Sequence, residues 1–68
     1  MTRTSVGARI RAVRVERGLT QEEVALASGV ARHMLVQVER GQRGLLYERL
    51  VDIAEALDVR PSSLLEDL

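Results

Sequence analysis

The chain has 68 residues, of which 46% are hydrophobic and 29% charged, so it is long enough for one small globular domain and not for two. It contains no cysteine, which excludes disulfides and thiolate metal sites, and we find neither a signal peptide nor an apolar run long enough to cross a membrane. We therefore expect a cytoplasmic protein. Aromatic residues make up 1%, which argues against a platform of rings for single-stranded nucleic acid.

The charges balance to zero overall but are distributed unevenly along the chain. Residues 1–43 hold eight Arg against four Glu, whereas residues 44–68 hold two Arg against six acidic residues. We therefore expect a molecule with one positive side, although solvated helix faces give the same imbalance by chance. All ten cations are Arg, which suits two-pronged contacts to phosphate and guanine; a GC-rich coding sequence produces the same bias.

Apolar residues recur at helical spacing along the whole chain, and no segment alternates as a half-buried strand does. The pattern predicts five short helices: one ending at Gly18, then 21–28, 32–39, 47–57 and a last one with Pro61 in its first turn. We expect an all-α, compact five-helix bundle over residues 5–68, preceded by a tail of residues 1–4. The predicted core is Val6, Ile10, Val13, Leu19, Val24, Ala25, Val30, Leu35, Val38, Tyr47, Leu50, Ile53, Ala54, Leu57 and Leu64.

The start of the second helix carries a strong local signal. Thr20 and Glu23 have the spacing of a capping box, in which each side chain accepts a hydrogen bond from the other residue's backbone N–H. Small Ala25 allows close packing of two helices, and Gly29 permits a sharp turn. Two short helices joined by such a turn form a helix-turn-helix, which holds its second helix clear of the bundle.

The chain resembles the Cro/phage-repressor (Xre-type) helix-turn-helix family, whose members have a lambda-repressor-like fold. The resemblance covers about residues 5–66, and the residues that carry it are Leu19-Thr20-Gln21-Glu22-Glu23-Val24-Ala25, Gly29-Val30, Leu35, Val38-Glu39-Arg40-Gly41, Leu50, Ile53-Ala54, Ala56-Leu57, Val59 and Pro61-Ser62. It implies a sequence-specific regulator that binds double-stranded DNA, usually as a dimer.

The resemblance implies that the third helix reads bases with Arg32, His33 and Gln37. Arg forks onto guanine and Gln onto adenine in the major groove. Met34 and Val36 are apolar where relatives are polar. They contact thymine methyl groups in one interpretation, and a partner protein in the other.

Other positions are expected to meet the DNA backbone. In the family, the residue at Gln21 lies beside a phosphate at a helix N-terminus; its alternative role is to assist the cap. Arg43, and less strongly Arg40, follow the third helix where relatives face the backbone; the alternative is a solvated loop. The amides near Leu46 and Tyr47 offer a further phosphate contact.

An ion pair is the expected role of Arg14 and Glu39. In this family an Arg on the first helix often pairs with a Glu that ends the third. We expect a partly buried pair that fixes the third helix against the first.

Two departures from the family pattern have structural consequences. Ala31 stands where a Ser or Thr usually caps the third helix, so that cap is absent. Before the fourth helix, Leu residues replace a turn-forming Pro and a polar cap. Together with two Leu near the chain end they offer apolar surface, which we assign to a homodimer seam; packing within one subunit is the alternative. The predicted seam is Leu45, Leu46, Leu65 and Leu68.

The leading hypothesis is a small dimeric transcriptional regulator that binds a palindromic operator and represses by occlusion. The phage-repressor, restriction–modification controller, antitoxin and host-regulator types all remain open, and a controller could also activate by contacting RNA polymerase. The alternative is a protein-interaction module with secondary DNA binding. An enzyme is excluded, since no catalytic or metal-ligand cluster is present, and we expect no metal, cofactor, small-molecule ligand or membrane partner.

Overall fold

The computed structural model describes residues 3–65, including the side chains of residues 5–65. Four α-helices follow one another, Arg3–Glu16 (α1), Gln21–Ser28 (α2), Arg32–Glu39 (α3) and Tyr47–Ala56 (α4), and a 3₁₀ turn spans Pro61–Leu64. Residues 3–65 contain no β-strand, and the all-α class is confirmed. The first helix begins at Arg3, inside the segment 1–4 that the sequence assigned to a tail.

The prediction of five helices is wrong. In place of a fifth α-helix, the described chain has a single 3₁₀ turn, closed by hydrogen bonds from the Ser63 N–H to the Arg60 carbonyl (2.9 Å) and from the Leu65 N–H to the Ser62 carbonyl (3.1 Å). Pro61 stands at the start of this turn, as it would in an α-helix. A four-residue segment forms too few bonds to offset the cost of starting an α-helix, which explains the tighter form.

The core lies where the helical periodicity placed it. α1 packs on α3, α2 packs on both α3 and α4, and the 3₁₀ turn closes against α4 and α1, giving a body of 26 × 21 × 20 Å. Within residues 5–65, every buried hydrophobic residue belongs to the predicted core: Ile10, Val13, Val24, Ala25, Val30, Leu35, Val38, Leu50, Ile53, Ala54, Leu57 and Leu64. Val6 and Leu19 are only half-buried, at its edge.

Tyr47 corrects the predicted core, because 68% of it is exposed. It is the first residue of α4, and side chains of a helix lean toward its N-terminus. The ring therefore extends past the packed part of the helix into solvent. Leu50, one turn later, is the first buried residue of α4.

The capping box predicted for α2 is present. The Glu23 N–H donates to Thr20 Oγ1 (3.0 Å), and the Thr20 N–H donates to Glu23 Oε1 (2.8 Å). The backbone bond from Thr20, followed by the side-chain bond, holds the pKa of Glu23 below its ordinary value, because both stabilise the carboxylate. The box fixes the point at which α2 begins.

Gly7 lies at a close backbone contact between α1 and α3 that was not predicted from the sequence. Gly7 is buried, and a Cβ placed on it would overlap the carbonyl oxygen of Val38 and lie 3.3 Å from Glu39 Cα. A Gly inside a helix costs roughly 1 kcal/mol relative to Ala, so its presence at a predicted helical position was an available signal for close backbone contact. Only a residue without a side chain lets α3 lie this near α1.

We expect Gly7→Ala to lower the free energy of unfolding by about 1–3 kcal/mol, because the added methyl group forces α1 away from α3. Urea denaturation followed by circular dichroism measures this change. Gly44→Ala is the matched control, since a Cβ at Gly44 meets nothing within 4 Å. Equal stabilities for the two variants would contradict the close packing.

We expect the stabilisation that Glu23 provides to depend on pH. Since its pKa is lowered by folding, the contribution is fully present above the unfolded pKa of about 4.3 and is lost as the pH falls through the lower folded value. Glu23→Gln should therefore be less stable than the wild type at pH 7, with a gap that narrows on acidification. Thermal melts at pH 7 and pH 3 test this, with Glu22→Gln as control for the charge at the helix start. A gap of equal size at both pH values would refute it.

Candidate nucleic-acid interface

A tight turn sets the direction in which α3 leaves α2. Gly29 ends α2 in the left-handed conformation (φ 76°), which glycine adopts without strain, and its N–H donates to the Ala25 carbonyl at 3.0 Å. Val30 then enters the core, and its N–H donates to Ser28 Oγ at 3.2 Å. The turn is therefore anchored by one backbone bond, by one bond to the Ser28 hydroxyl and by the buried Val30 side chain.

One face of α3 is packed and the other is open. Leu35 and Val38 are buried, with exposures of 0% and 1%. Arg32, His33 and Gln37 are exposed, and positions 33 and 37 lie one helical turn apart. The three polar side chains that the family resemblance assigned to base reading thus share the solvent side of one helix.

Met34 and Val36 occupy the borders of this open face. Both are half-buried, and Met34 packs against the hydrophobic core. Much of Met34 is therefore engaged within the subunit, which reduces the apolar surface that it offers to a partner. Val36 stays next to Gln37 on the open side.

A buried ion pair joins α3 to α1. Arg14 Nε donates to Glu39 Oε2 at 2.8 Å and Arg14 Nη2 donates to Glu39 Oε1 at 3.0 Å, the two-pronged geometry of a guanidinium on a carboxylate. The Glu39 side chain is 2% exposed and that of Arg14 is 11% exposed. The hydrogen bond to Glu39 raises the pKa of Arg14 against the opposing effect of burial. The pair thus places groups of opposite formal charge in direct contact between α1 and α3.

Two more hydrogen bonds extend this pair to α2 and to the loop before it. Arg14 Nη1 donates to the Leu19 carbonyl at 2.9 Å, and Gln21 Nε2 donates to Glu39 Oε1 at 3.1 Å. Among the described residues no buried side-chain polar atom is left without a partner. The polar network thus fixes the start of α2 and the end of α3 relative to α1.

The residues expected at the DNA backbone occupy different environments. Gln21 is half-buried, and its amide donates to Glu39, so it is a partner of the ion pair and not simply an aid to the cap. Arg40 is exposed just after α3. Arg43 is also exposed, and its Nη1 lies 3.4 Å from Gln37 Oε1, so that the loop arginine reaches the open face of α3.

Neither α3 nor α4 has a side-chain cap. Ala31 precedes α3 and Leu46 precedes α4, and neither supplies a hydrogen-bond acceptor, as the sequence indicated. The first N–H groups of both helices therefore lack the side-chain acceptor that a Ser, Thr, Asp or Asn would provide. The start of α3 bears Arg32 and His33, so the uncapped end coincides with part of the open face.

The apolar residues assigned to a dimer seam divide into two groups. Leu45 and Leu65 are half-buried against the core of their own subunit, whereas Leu46 is 70% exposed. Leu68 lies outside the described residues. Tyr47, expected in the core, instead extends the exposed apolar surface next to Leu46.

The described residues offer little to other kinds of site. None of their helices has the length and apolar character needed to cross a bilayer. The same part of the chain holds no group of three His, Asp or Glu side chains placed to bind a metal ion.

Comparison with known proteins decides the family. A helix-turn-helix family model matches residues 10–64. The chain belongs to the helix-turn-helix family. The resemblance inferred from the sequence is thereby confirmed.

The similar proteins of this helix-turn-helix family are regulators. The chain is 42% identical over 57 residues to an uncharacterized HTH-type transcriptional regulator, y4dJ, of Sinorhizobium fredii (strain NBRC 101917 / NGR234), covering 84% of this chain and 74% of that protein. The restriction-modification controller protein C.AhdI from Aeromonas hydrophila superimposes with a TM-score of 0.89 at 39% identity, covering 91% and 94% of the two chains. The wild-type restriction-modification controller protein C.Esp1396I superimposes with a TM-score of 0.86 at 31% identity, covering 94% of this chain and 82% of that one. The family and these relatives are not enzymes, in agreement with the sequence analysis.

We expect Glu39→Ala to destabilise the protein by about 3–5 kcal/mol, because it leaves the Arg14 guanidinium buried without its counter-charge. For a domain of this size the melting temperature should fall by more than about 10 °C. Glu55→Ala is the control, since Glu55 is an exposed residue of α4. Thermal denaturation followed by circular dichroism compares the two, and an unchanged melt for Glu39→Ala would refute the structural role of the pair.

Proposed function

We propose that the protein is a transcriptional regulator that binds double-stranded DNA with sequence specificity. In this proposal a homodimer places α3 of each subunit in a major groove of a palindromic operator. Such a complex, bound across a promoter, represses transcription by occluding polymerase.

The open face of α3 is the observation that carries the proposal. Arg32, His33 and Gln37 project from one side of a helix whose opposite side is held by Leu35, Val38 and the Arg14–Glu39 pair. An α-helix with its side chains is about 10–12 Å wide, and the major groove is about 12 Å wide, so the helix fits with its polar side chains at the base edges. Arg and Gln have the paired donors and acceptors that distinguish guanine and adenine there.

Residues on either side of α3 are placed to contact the DNA phosphate backbone, which supports the insertion of α3 into the major groove. Gln21 at the start of α2 and Arg40 after α3 lie on either side of the helix in sequence, and Arg43 reaches its open face. A phosphate beside the first turn of α2 meets N–H groups and the positive end of the helix dipole. These contacts orient the protein without reading sequence.

A homodimer is favoured by the apolar surface at the start of α4. Leu46 and Tyr47 are adjacent and 70% and 68% exposed, and an apolar pair of this kind is stabilised when a second copy covers it. Two-fold symmetry then places two α3 helices on successive major grooves, about 34 Å apart. Two subunits, each 26 Å long, are large enough side by side to reach both major grooves.

The similarity to C.AhdI, C.Esp1396I and y4dJ supports regulation of transcription as the role, since their names describe controller proteins and a transcriptional regulator. A regulator of this kind acts in the cytoplasm, where the DNA of a bacterial cell lies. Recruitment of RNA polymerase by direct contact is a second mode of action for the same complex, and promoter assays with the recovered operator separate it from repression.

Selection of bound fragments from a random duplex pool tests the proposal. We expect the recovered sequences to share two half-sites related by a two-fold axis, with centres one helical turn or a multiple apart. An asymmetric single half-site would contradict the homodimer. Complete absence of binding at low salt would favour the alternative of a protein-interaction module.

Substitutions on α3 test the base contacts. We expect Arg32→Ala and Gln37→Ala each to reduce the ratio of specific to non-specific affinity by roughly 5- to 150-fold, since a two-pronged contact contributes about 1–3 kcal/mol of discrimination. Fluorescence polarisation with a recovered duplex and a scrambled one measures the ratio.

Arg49→Ala is the control for these variants, because Arg49 is exposed on α4, where its Nη1 bonds to Asp52 Oδ2 at 3.3 Å. The ratio of specific to non-specific affinity should be the same as for the wild type. If the α3 variants also keep the wild-type ratio, α3 does not read the bases.

A further inference from the structure

An open depression lies between the second half of α1, the start of α2 and α3. Its volume is about 670 Å³, and the residues around it include Arg11 of α1, Gln21 of α2, Arg32 of α3 and Arg40 after α3. Gln21, Arg32 and Arg40 have been assigned to DNA above, whereas Arg11 has not. The depression therefore adds a residue of α1 to a surface so far built from α2 and α3.

Of the four arginines around this depression, Arg14 is paired with Glu39, and the other three have no partner among the described residues. Outside the depression, Arg17 lies 3.9 Å from Asp58, Arg43 bonds to Gln37 and Arg49 to Asp52, whereas Arg60 stands alone and has no partner among the described residues. Around the depression, Arg11, Arg32 and Arg40 make neither an ion pair nor a hydrogen bond in the part of the chain that the structure describes, and here three such groups line one surface. Like charges around one depression repel, and an anion between them removes that repulsion.

The acidic residues of the depression do not neutralise these three arginines. The carboxylate of Glu39 is already paired with Arg14 through two hydrogen bonds. Glu22 is exposed like Arg11, Arg32 and Arg40, so solvent screens all four charges alike. The residues around the depression include four arginines and two glutamates, and this net formal charge of +2 favours an anion there.

Arg32 belongs both to this depression and to the open face of α3. A duplex that receives α3 in its major groove has a phosphate backbone on each side of that groove. The backbone strand on the side of α1 and α2 is thus brought to the depression by the same docking that places Arg32 at the bases.

We propose that Arg11 binds a DNA backbone phosphate in this depression, so that α1 contacts the DNA directly. The inference depends on the proposed DNA-binding function and adds a third element to the interface. Arg11 contributes affinity and orientation but no base reading, because a phosphate is the same in every nucleotide.

The salt dependence of binding tests this role. Fluorescence polarisation with a labelled 30-base-pair duplex of mixed sequence gives the slope of log affinity against log salt concentration. We expect Arg11→Ala to weaken binding by about two- to fivefold at low salt for each bound subunit. The slope should become shallower by about 0.9 per subunit, as expected for one lost phosphate contact. Arg11→Lys keeps the charge and should restore the wild-type slope.

Arg60→Ala is the matched control, an exposed arginine between α4 and the 3₁₀ turn that does not line the depression. Its slope should equal that of the wild type, and thermal melts verify that all variants fold. If the wild type binds and Arg11→Ala keeps the full slope, Arg11 does not contact a DNA phosphate. The inference is then wrong, while the proposed function stands. If the wild type fails to bind at any salt concentration, the proposed function itself is wrong.

Discussion

The buried pair of Arg14 and Glu39 is the constraint on which the arrangement of the helices depends. A carboxylate and a guanidinium removed from water are stable only when each is fully matched by the other's hydrogen bonds. Here the two-pronged contact, the Leu19 carbonyl and the Gln21 amide provide that match. Hydrophobic packing tolerates small rotations of a helix, whereas these bonds do not. The pair therefore sets the orientation of α3 more narrowly than the apolar core alone.

The same end of α3 is restrained a second time by packing. Gly7 brings α1 against the backbone at Val38 and Glu39, next to the ion pair. The opposite end has Ala31 in place of a polar cap. The last turn of α3 is thus held by two independent contacts, while its first turn, which carries Arg32 and His33, is held mainly by the turn before it. The less restrained end is the one that faces outward.

Most of the fold followed from local rules applied to the sequence. The capping box of Thr20 and Glu23 and the turn at Gly29 depend on neighbouring residues only, and the core followed from the 3.6-residue period. The prediction that Tyr47 is buried was wrong, because periodicity takes no account of where a helix starts relative to the core on which it packs. The prediction of a fifth helix was wrong, because the apolar pattern at Pro61–Leu64 does not distinguish an α-helix from a single 3₁₀ turn.

The residues of the candidate site were predicted from the family resemblance and not from local rules. The positions on α3 came from the family resemblance, and the structure adds that Arg32, His33 and Gln37 share a solvent-exposed side. The packing role of Gly7 and the role proposed for Arg11 were not predicted, because both depend on residues more than twenty positions away in the chain, at Val38 and around Arg32. Such contacts appear only when the helices are assembled.

The separation of the two faces of α3 has a consequence for how proteins of this shape diversify. Side chains at positions 32, 33 and 37 make no core contacts, so exchanging them leaves the scaffold intact. Under the proposed function, a duplicated copy of the chain would acquire a new operator through a few surface substitutions, without compensating changes in its interior. The same scaffold would then accept the corresponding α3 residues of another regulator.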